Sequence, residues 1–235
     1  MKYDYIIVGA GSAGCVIANR LSEDPSTQVL LIEAGGSDRR FFIQMPIGYG
    51  VTYHQKAVNW MYMTEPSPDA DNKPSYWPRG KVMGGSSSIN AMVYVRGNSR
   101  DFDQWSEAGN PGWSYSDVLP YFKKMESWQN GPDDYRGGDG PLNVSEVSEQ
   151  LHPLCQNFLS AAQEIGIGLN KDMNGATQEG VGNYQITTHK GQRMSSSRAY
   201  LWPIRGRTNL TIIKNAQATR VLIKDKKAYG VEYLK

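Results

Sequence analysis

The chain has 235 residues, with 25 Lys+Arg against 23 Asp+Glu and a formal net charge of +2. That length is ample for one large domain or two small ones with a buried core. The near-balanced charge excludes a strongly basic nucleic-acid binder, and 39% hydrophobic with 20% charged residues excludes a disordered or fibrous chain.

At the N-terminus, Lys2 and the short apolar stretch 5–18 superficially resemble a secretory signal. Asp4 within the charged part and three interrupting glycines argue against one. No later segment approaches the ~20 uninterrupted apolar residues of a membrane-spanning helix. Tyr5-Ile6-Ile7-Val8 is a β-branched run, the pattern of a strand buried on both faces of a parallel sheet. Gly9-Ala10-Gly11-Ser12-Ala13-Gly14 follows, and Cys15–Leu21 then has apolar residues at helical spacing. Gln28–Glu33 is a second buried strand, closing a βαβ unit of about 30 residues.

Residues 34–79 show no periodicity and read as a long irregular excursion of the lid or cover kind. Within it, Asn59-Trp60-Met61-Tyr62 fits either a cover over a ligand or a surface loop with a packing anchor. Residues 80–99 are glycine- and serine-rich before the apolar run Ala91–Val95. Asp117–Met125 reads as a helix capped by Ser114 or Ser116. Residues 152–165 form another, stopped by Gly166. Leu210–Ile213 and Ala218–Ile223 read as strands, and Asp225-Lys226-Lys227 turns the latter into a hairpin with Ala228–Leu234.

Two cysteines, Cys15 and Cys155, support neither a disulfide scaffold nor a zinc site with His54, His152 and His189, which are scattered. Both cysteines are expected as small packing residues, Cys15 facing the sheet. No metal site is expected.

Gly9-x-Gly11-x-x-Gly14 stands between a strand and a helix, and this position gives it weight. The first glycine allows the tight turn, the second lets a pyrophosphate approach the backbone, and the third lets helix and strand pack closely. The helix start offers N–H groups and a positive dipole end to phosphates. Glu33, 19 positions after Gly14, can accept from ribose hydroxyls and favours FAD or NAD over NADP. The loop alone does not choose between FAD and NAD.

The second constellation is Arg79-Gly80-Lys81-Val82-Met83-Gly84-Gly85-Ser86-Ser87-Ser88-Ile89-Asn90. Paired glycines and serines bring backbone N–H groups and hydroxyls close to a large ligand. Asn90-Ala91-Met92-Val93-Tyr94-Val95-Arg96-Gly97 and Asp101-Phe102-Asp103-Gln104-Trp105 follow at once. Downstream come Gly191-Gln192-Arg193, Ser195-Ser196, Ala199-Tyr200-Leu201 and Thr219-Arg220-Val221. In this order, from Tyr3 to the last residue, these segments resemble the glucose–methanol–choline (GMC) oxidoreductase family, most of all its bacterial choline dehydrogenase and aliphatic alcohol dehydrogenase branch.

The resemblance implies an α/β fold: a Rossmann-like FAD-binding domain of GMC type with part of an α+β substrate-binding domain. Residues 1–36 would be the FAD-binding βαβ unit, 37–79 the cover, and 80–144 the flavin-contacting segment. Residues 145–207 would belong to the substrate-binding domain, and 208–235 would return to the FAD-binding domain. It further implies FAD as cofactor and oxidation of a small-molecule alcohol to a carbonyl by hydride transfer to flavin N5. Electrons would pass to a quinone, an artificial dye or oxygen. Gly9, Gly11, Ser12, Ala13 and Gly14 with Glu33 and Ala34 would hold the ADP half. Met83, Gly84, Gly85, Asn90, Ala91, Met92 and Val93 would line the pyrophosphate and isoalloxazine, and the main chain of Val221 would meet the adenine. Some members attach the flavin through a His at the position of Ile89, so the flavin here is expected to be non-covalent.

The family's catalytic His lies near the C-terminus of chains more than twice this length, so the sequence reads as an N-terminal portion that lacks its C-terminal partner portion. Neither His54, His152 nor His189 has the family's context, and no catalytic residue is assigned within the chain. Rival readings are an oxidase, lyase or decarboxylase of the same family, a Rossmann dehydrogenase using NAD, and a non-catalytic nucleotide-binding module. The NAD reading explains residues 5–33 but not 79–105. Cytoplasmic residence is expected, with peripheral contact at the inner membrane if the acceptor is a quinone.

Overall fold

A computed structural model of the chain describes residues 2–235. It falls into two compact units: one runs as far as Ala91 and resumes at Gly191–Lys235, and the other is Met92–Lys190.

The first unit is built on three parallel strands. Strand β1 (Tyr5–Val8) pairs with β2 (Val29–Ile32) in the register Tyr5↔Val29 to Val8↔Ile32. The strand Leu210–Ile213 pairs with the other side of β2, Leu210 against Val29 and Ile213 against Ile32. All four residues of β2 are buried, as a central parallel strand requires. Within these residues β1 flanks β2 on one side, with Tyr5 and Val8 half exposed.

Helix α1 (Ser12–Leu21) crosses between β1 and β2 and buries Gly14, Cys15, Ala18 and Asn19. A Cβ on Gly14 would stand 2.0 Å from the Gly9 carbonyl oxygen, so only glycine allows this helix so near the strand end. A buried π-turn, Ser197–Leu201, packs on α1 and is tied to it where the Asn19 side-chain amide donates to the Tyr200 carbonyl at 2.7 Å.

The excursion after β2 folds into short turns. Phe41–Gln44 and Tyr49–Thr52 are single helical turns, and Tyr62–Met63 pairs with Tyr76–Trp77. Ile43, Val58, Val82 and Ile89 form its apolar core. Asn59 is buried and staples the segment: its Nδ2 donates to the Tyr53 carbonyl and the Tyr76 hydroxyl, and its Oδ1 accepts from the N–H groups of Met61 and Arg79. The unit ends in a hairpin, Gln217–Lys224 with Lys227–Leu234, turned by Asp225 and Lys226, both at positive φ.

The second unit contains helices Ser99–Glu107, Tyr115–Met125 and Leu154–Glu164. Ser114 caps the middle one in a reciprocal capping box with Asp117. Gly166, at φ +89°, follows the last, as expected. Cys155 is half buried, less so than its sequence suggests.

The boundary expected at residue 145 falls inside this unit, and 191–207 belong to the first. Two features hold 92–190 together. Val93–Tyr94 pairs antiparallel with Gln185–Ile186. Glu126, fully buried, accepts from Arg96 at 2.8 Å and from Arg136 at 2.6 Å, while Arg136 also pairs with Asp172 at 2.8 Å.

Candidate functional site

The first unit contains a cavity of about 530 Å³ at the C-terminal ends of β1 and β2, the usual ligand position in an open α/β sheet. Gly9, Gly11 and Ser12 line it from the turn after β1, and Glu33 and Ala34 from the end of β2. A Cβ placed on Gly9 or Gly11 would meet no protein atom within 4 Å, so the space beside this turn is open to a ligand. Gly11 is the N-cap of α1 and offers no side chain to its first turn. That turn keeps its donors for an anion.

Glu33 is buried, and its carboxylate organises the loop as well as facing the cavity. One oxygen accepts from the Ala10 N–H at 2.8 Å, the other from the Gly35 N–H at 2.8 Å. Burial raises its pKa from the ordinary carboxylate value, partly countered by these two bonds. Each oxygen retains a second acceptor direction.

The second glycine segment reaches the same place. Met83 N–H donates to Gly36 at 3.0 Å, and Gly84 N–H donates to Ala10 at 2.7 Å. Gly85, at φ +56°, then lies against Gly11, so that a Cβ on Gly85 would be 2.7 Å from the Gly11 Cα. A second cavity of about 360 Å³ lies beside residues 89–91, walled by Tyr53, Tyr76 and Trp77. The two cavities share Arg79 and Ser86. They are adjacent lobes, with Arg79 lining both.

Of the residues singled out in the sequence, Gly9, Gly11, Ser12, Glu33, Ala34 and Gly85 line the first lobe, and Asn90 and Ala91 the second. Ala13 and Gly14 lie in α1. Met83 and Gly84 are buried, and neither lines a lobe. Met92 and Val93 open the second unit, Val93 paired with Ile186. Val221 pairs with Val231 inside the hairpin and does not line the first lobe, whereas Ala216, Gln217 and Ala218 do. The sequence showed a strand here without showing which residue faces the sheet end. Trp60 and Tyr62 also line that lobe, which places the 59–62 segment at the cleft.

The three histidines lie apart. His54 stacks on Tyr76 with ring centroids 5.6 Å apart. In the second unit, His152 accepts from the Leu154 N–H, and His189 lies in the short strand Thr188–His189. Among the described residues no group of His, Cys, Asp and Glu could hold a metal ion.

Residues 3–235 match the family model described as GMC oxidoreductase. The chain belongs to the GMC oxidoreductase family. It is 50% identical over 231 residues to an oxygen-dependent choline dehydrogenase of Photobacterium profundum, covering 98% of this chain and 41% of that one. It is also 50% identical over 233 residues to an alcohol dehydrogenase [acceptor] of Pseudomonas putida, covering 99% and 42%. An FAD-dependent oxidoreductase from Chaetomium thermophilum superposes with a TM-score of 0.91 at 32% identity, over 99% of this chain and 42% of the other. The chain thus spans about two fifths of the length of these relatives. The family accounts for the α/β architecture and for both glycine segments.

Proposed function

We propose that this GMC chain is the flavin-binding part of an FAD-dependent enzyme that oxidises an alcohol CH–OH group to a carbonyl. The observation that carries the reading is the meeting of Gly11 and Gly85 beside Glu33. Two backbone turns without side chains border a two-lobed cleft, a shape suited to an extended dinucleotide. A single-glycine-loop NAD site would leave the 84–90 segment unexplained.

The roles of the residues follow from their chemistry. The uncapped first turn of α1 and the Gly9–Gly11 backbone take the pyrophosphate, with Arg79 as the nearby cation. Glu33 accepts from ribose with the acceptor directions not used by Ala10 and Gly35. Gly85, Asn90 and Ala91 border the flavin. When bound, FAD accepts the substrate's hydride at N5, and the protein's part is to orient and shield it. With Ile89 packed in the apolar core, no nucleophile stands at that position to form a flavin bond. The base that takes the hydroxyl proton is assigned to none of the three histidines and is proposed to come from the further length seen in the relatives.

The substrate class proposed is a small alcohol, choline included, on the strength of the relatives' names. The same names support either oxygen or another acceptor, such as a quinone or dye. Cytoplasmic residence with peripheral contact at the inner membrane belongs to the same proposal and is tested by fractionation.

The deciding experiment is the visible absorption spectrum of the purified protein, repeated on the supernatant after acid precipitation. Flavin bands that move to the supernatant support non-covalent FAD. Bands that stay in the pellet overturn the non-covalent assignment, and a lack of flavin both in this chain and in a longer form of the relatives' length overturns the flavin reading. Alcohol oxidation with a dye, run beside oxygen uptake, then separates dehydrogenase from oxidase.

A further inference from the structure

Arg193 is 1% exposed and has no acid to answer it. Its Nε donates to the Ile43 carbonyl at 2.9 Å. Its Nη1 donates to the Asn90 carbonyl at 2.7 Å, to the Asn90 side-chain oxygen at 2.9 Å and to the Ser87 carbonyl at 3.2 Å. Nη2 is buried with no hydrogen-bond partner. The other two deeply buried arginines, Arg96 and Arg136, both pair with Glu126. Among the described residues no carboxylate lies within ion-pairing distance of Arg193.

This arrangement is costly, because a buried ion without a counter-charge forgoes its hydration for neutral partners only. A neutral amide could hold two of these carbonyls without that penalty. Burial lowers the guanidinium pKa to about 10, so it stays protonated at neutral pH. The charge is therefore present, held through Nε by the Ile43 carbonyl and through Nη1 by the loop 87–90, whose last residue lines the second lobe of the cleft.

We infer that Arg193 is a positioning residue for the cofactor, fixing the Asn90 backbone and amide, and that its unanswered charge makes the bound flavin easier to reduce. The inference rests on the proposed FAD site. Uptake of two electrons and one proton, supplied by the alcohol in turnover, leaves a flavin one unit more negative. A fixed positive charge in a low-dielectric surrounding favours that state.

The test is a reductive titration of the FAD-loaded protein with dithionite against a reference dye, together with FAD affinity and the melting temperature. Arg193→Met should shift the flavin equilibrium about tenfold toward the oxidised form, equal to about 30 mV for a two-electron couple. Arg193→Lys, which keeps the charge, should restore most of the shift. Arg193→Gln, which removes the charge but keeps amide donors for the neighbouring carbonyls, should show the same shift, so it carries the test if Arg193→Met does not fold. Folded variants with the wild-type potential would overturn the inference and leave Arg193 a packing residue. A lack of FAD uptake both in this chain and in a longer form of the relatives' length would instead overturn the functional reading itself, and this inference with it.

Discussion

Gly85 and Gly11 touch backbone to backbone: a Cβ on the first would stand 2.7 Å from the Cα of the second. Gly85 also sits at φ +56°, a left-handed conformation that costs an L-residue about 1–2 kcal/mol. Gly85→Ala should therefore push the two turns apart. We expect a lower melting temperature and at least a tenfold weaker FAD affinity by fluorescence titration. Gly109→Ala, at positive φ with nothing within 4 Å of its Cβ, should lower stability without changing affinity.

Glu33 gives a pH prediction. Burial raises its folded pKa above the ordinary 4.5, and Asp38 is raised in the same direction from 3.8. An acid raised on folding contributes stability that is full below its unfolded pKa and is lost as pH climbs through the folded value. Denaturant midpoints of the apoprotein should therefore fall from about pH 4.5 upward. Glu33→Gln should flatten part of that slope, and an unchanged slope would contradict the assignment.

The two thiols should differ in reactivity. Cys15 is fully buried, donates to the Ala10 carbonyl at 3.2 Å, and has its pKa pushed up to about 12. Cys155 is half buried. At pH 8, iodoacetamide should modify Cys155 in the native protein and Cys15 only after unfolding, because the thiolate is the nucleophile. Peptide mass spectrometry would read this directly.

In the second unit, Glu126 is the hub. It accepts from Arg96, Arg136 and the Gly137 N–H, all buried. Removing it leaves two guanidinium groups without their shared counter-charge, a loss of about 3–5 kcal/mol for a broken buried pair. Glu126→Ala should lower the melting temperature sharply. Substituting a distant surface acid such as Asp69 should leave it unchanged.

The local grammar of this chain was readable. Run length placed both strands of the βαβ unit, Ser114 and Gly166 marked helix ends, and the charged turn at Asp225 placed the hairpin. The spacing of Gly9, Gly11, Gly14 and Glu33 put them at one sheet end, where the structure has them. The ion-pair set Arg96, Glu126, Arg136 and Asp172 was not readable, because its members are far apart in sequence and look like surface charges until paired. Asn59 and Arg193 were missed as organisers for the same reason: each acts through main-chain carbonyls or N–H groups, which leave no trace in side-chain periodicity.

The position of Leu210–Ile213 has a consequence for how the protein is made. This strand completes one flank of β2, yet it leaves the ribosome after the whole of Met92–Lys190. The glycine turn and β2 must then wait, with one flank unpaired, while a contiguous unit emerges and can fold ahead of them. Contacts of such long sequence separation form slowly, and a waiting apolar strand invites pairing with other chains. The part of the molecule translated first is thus among the last to be finished, and chaperone demand during synthesis should centre on β2.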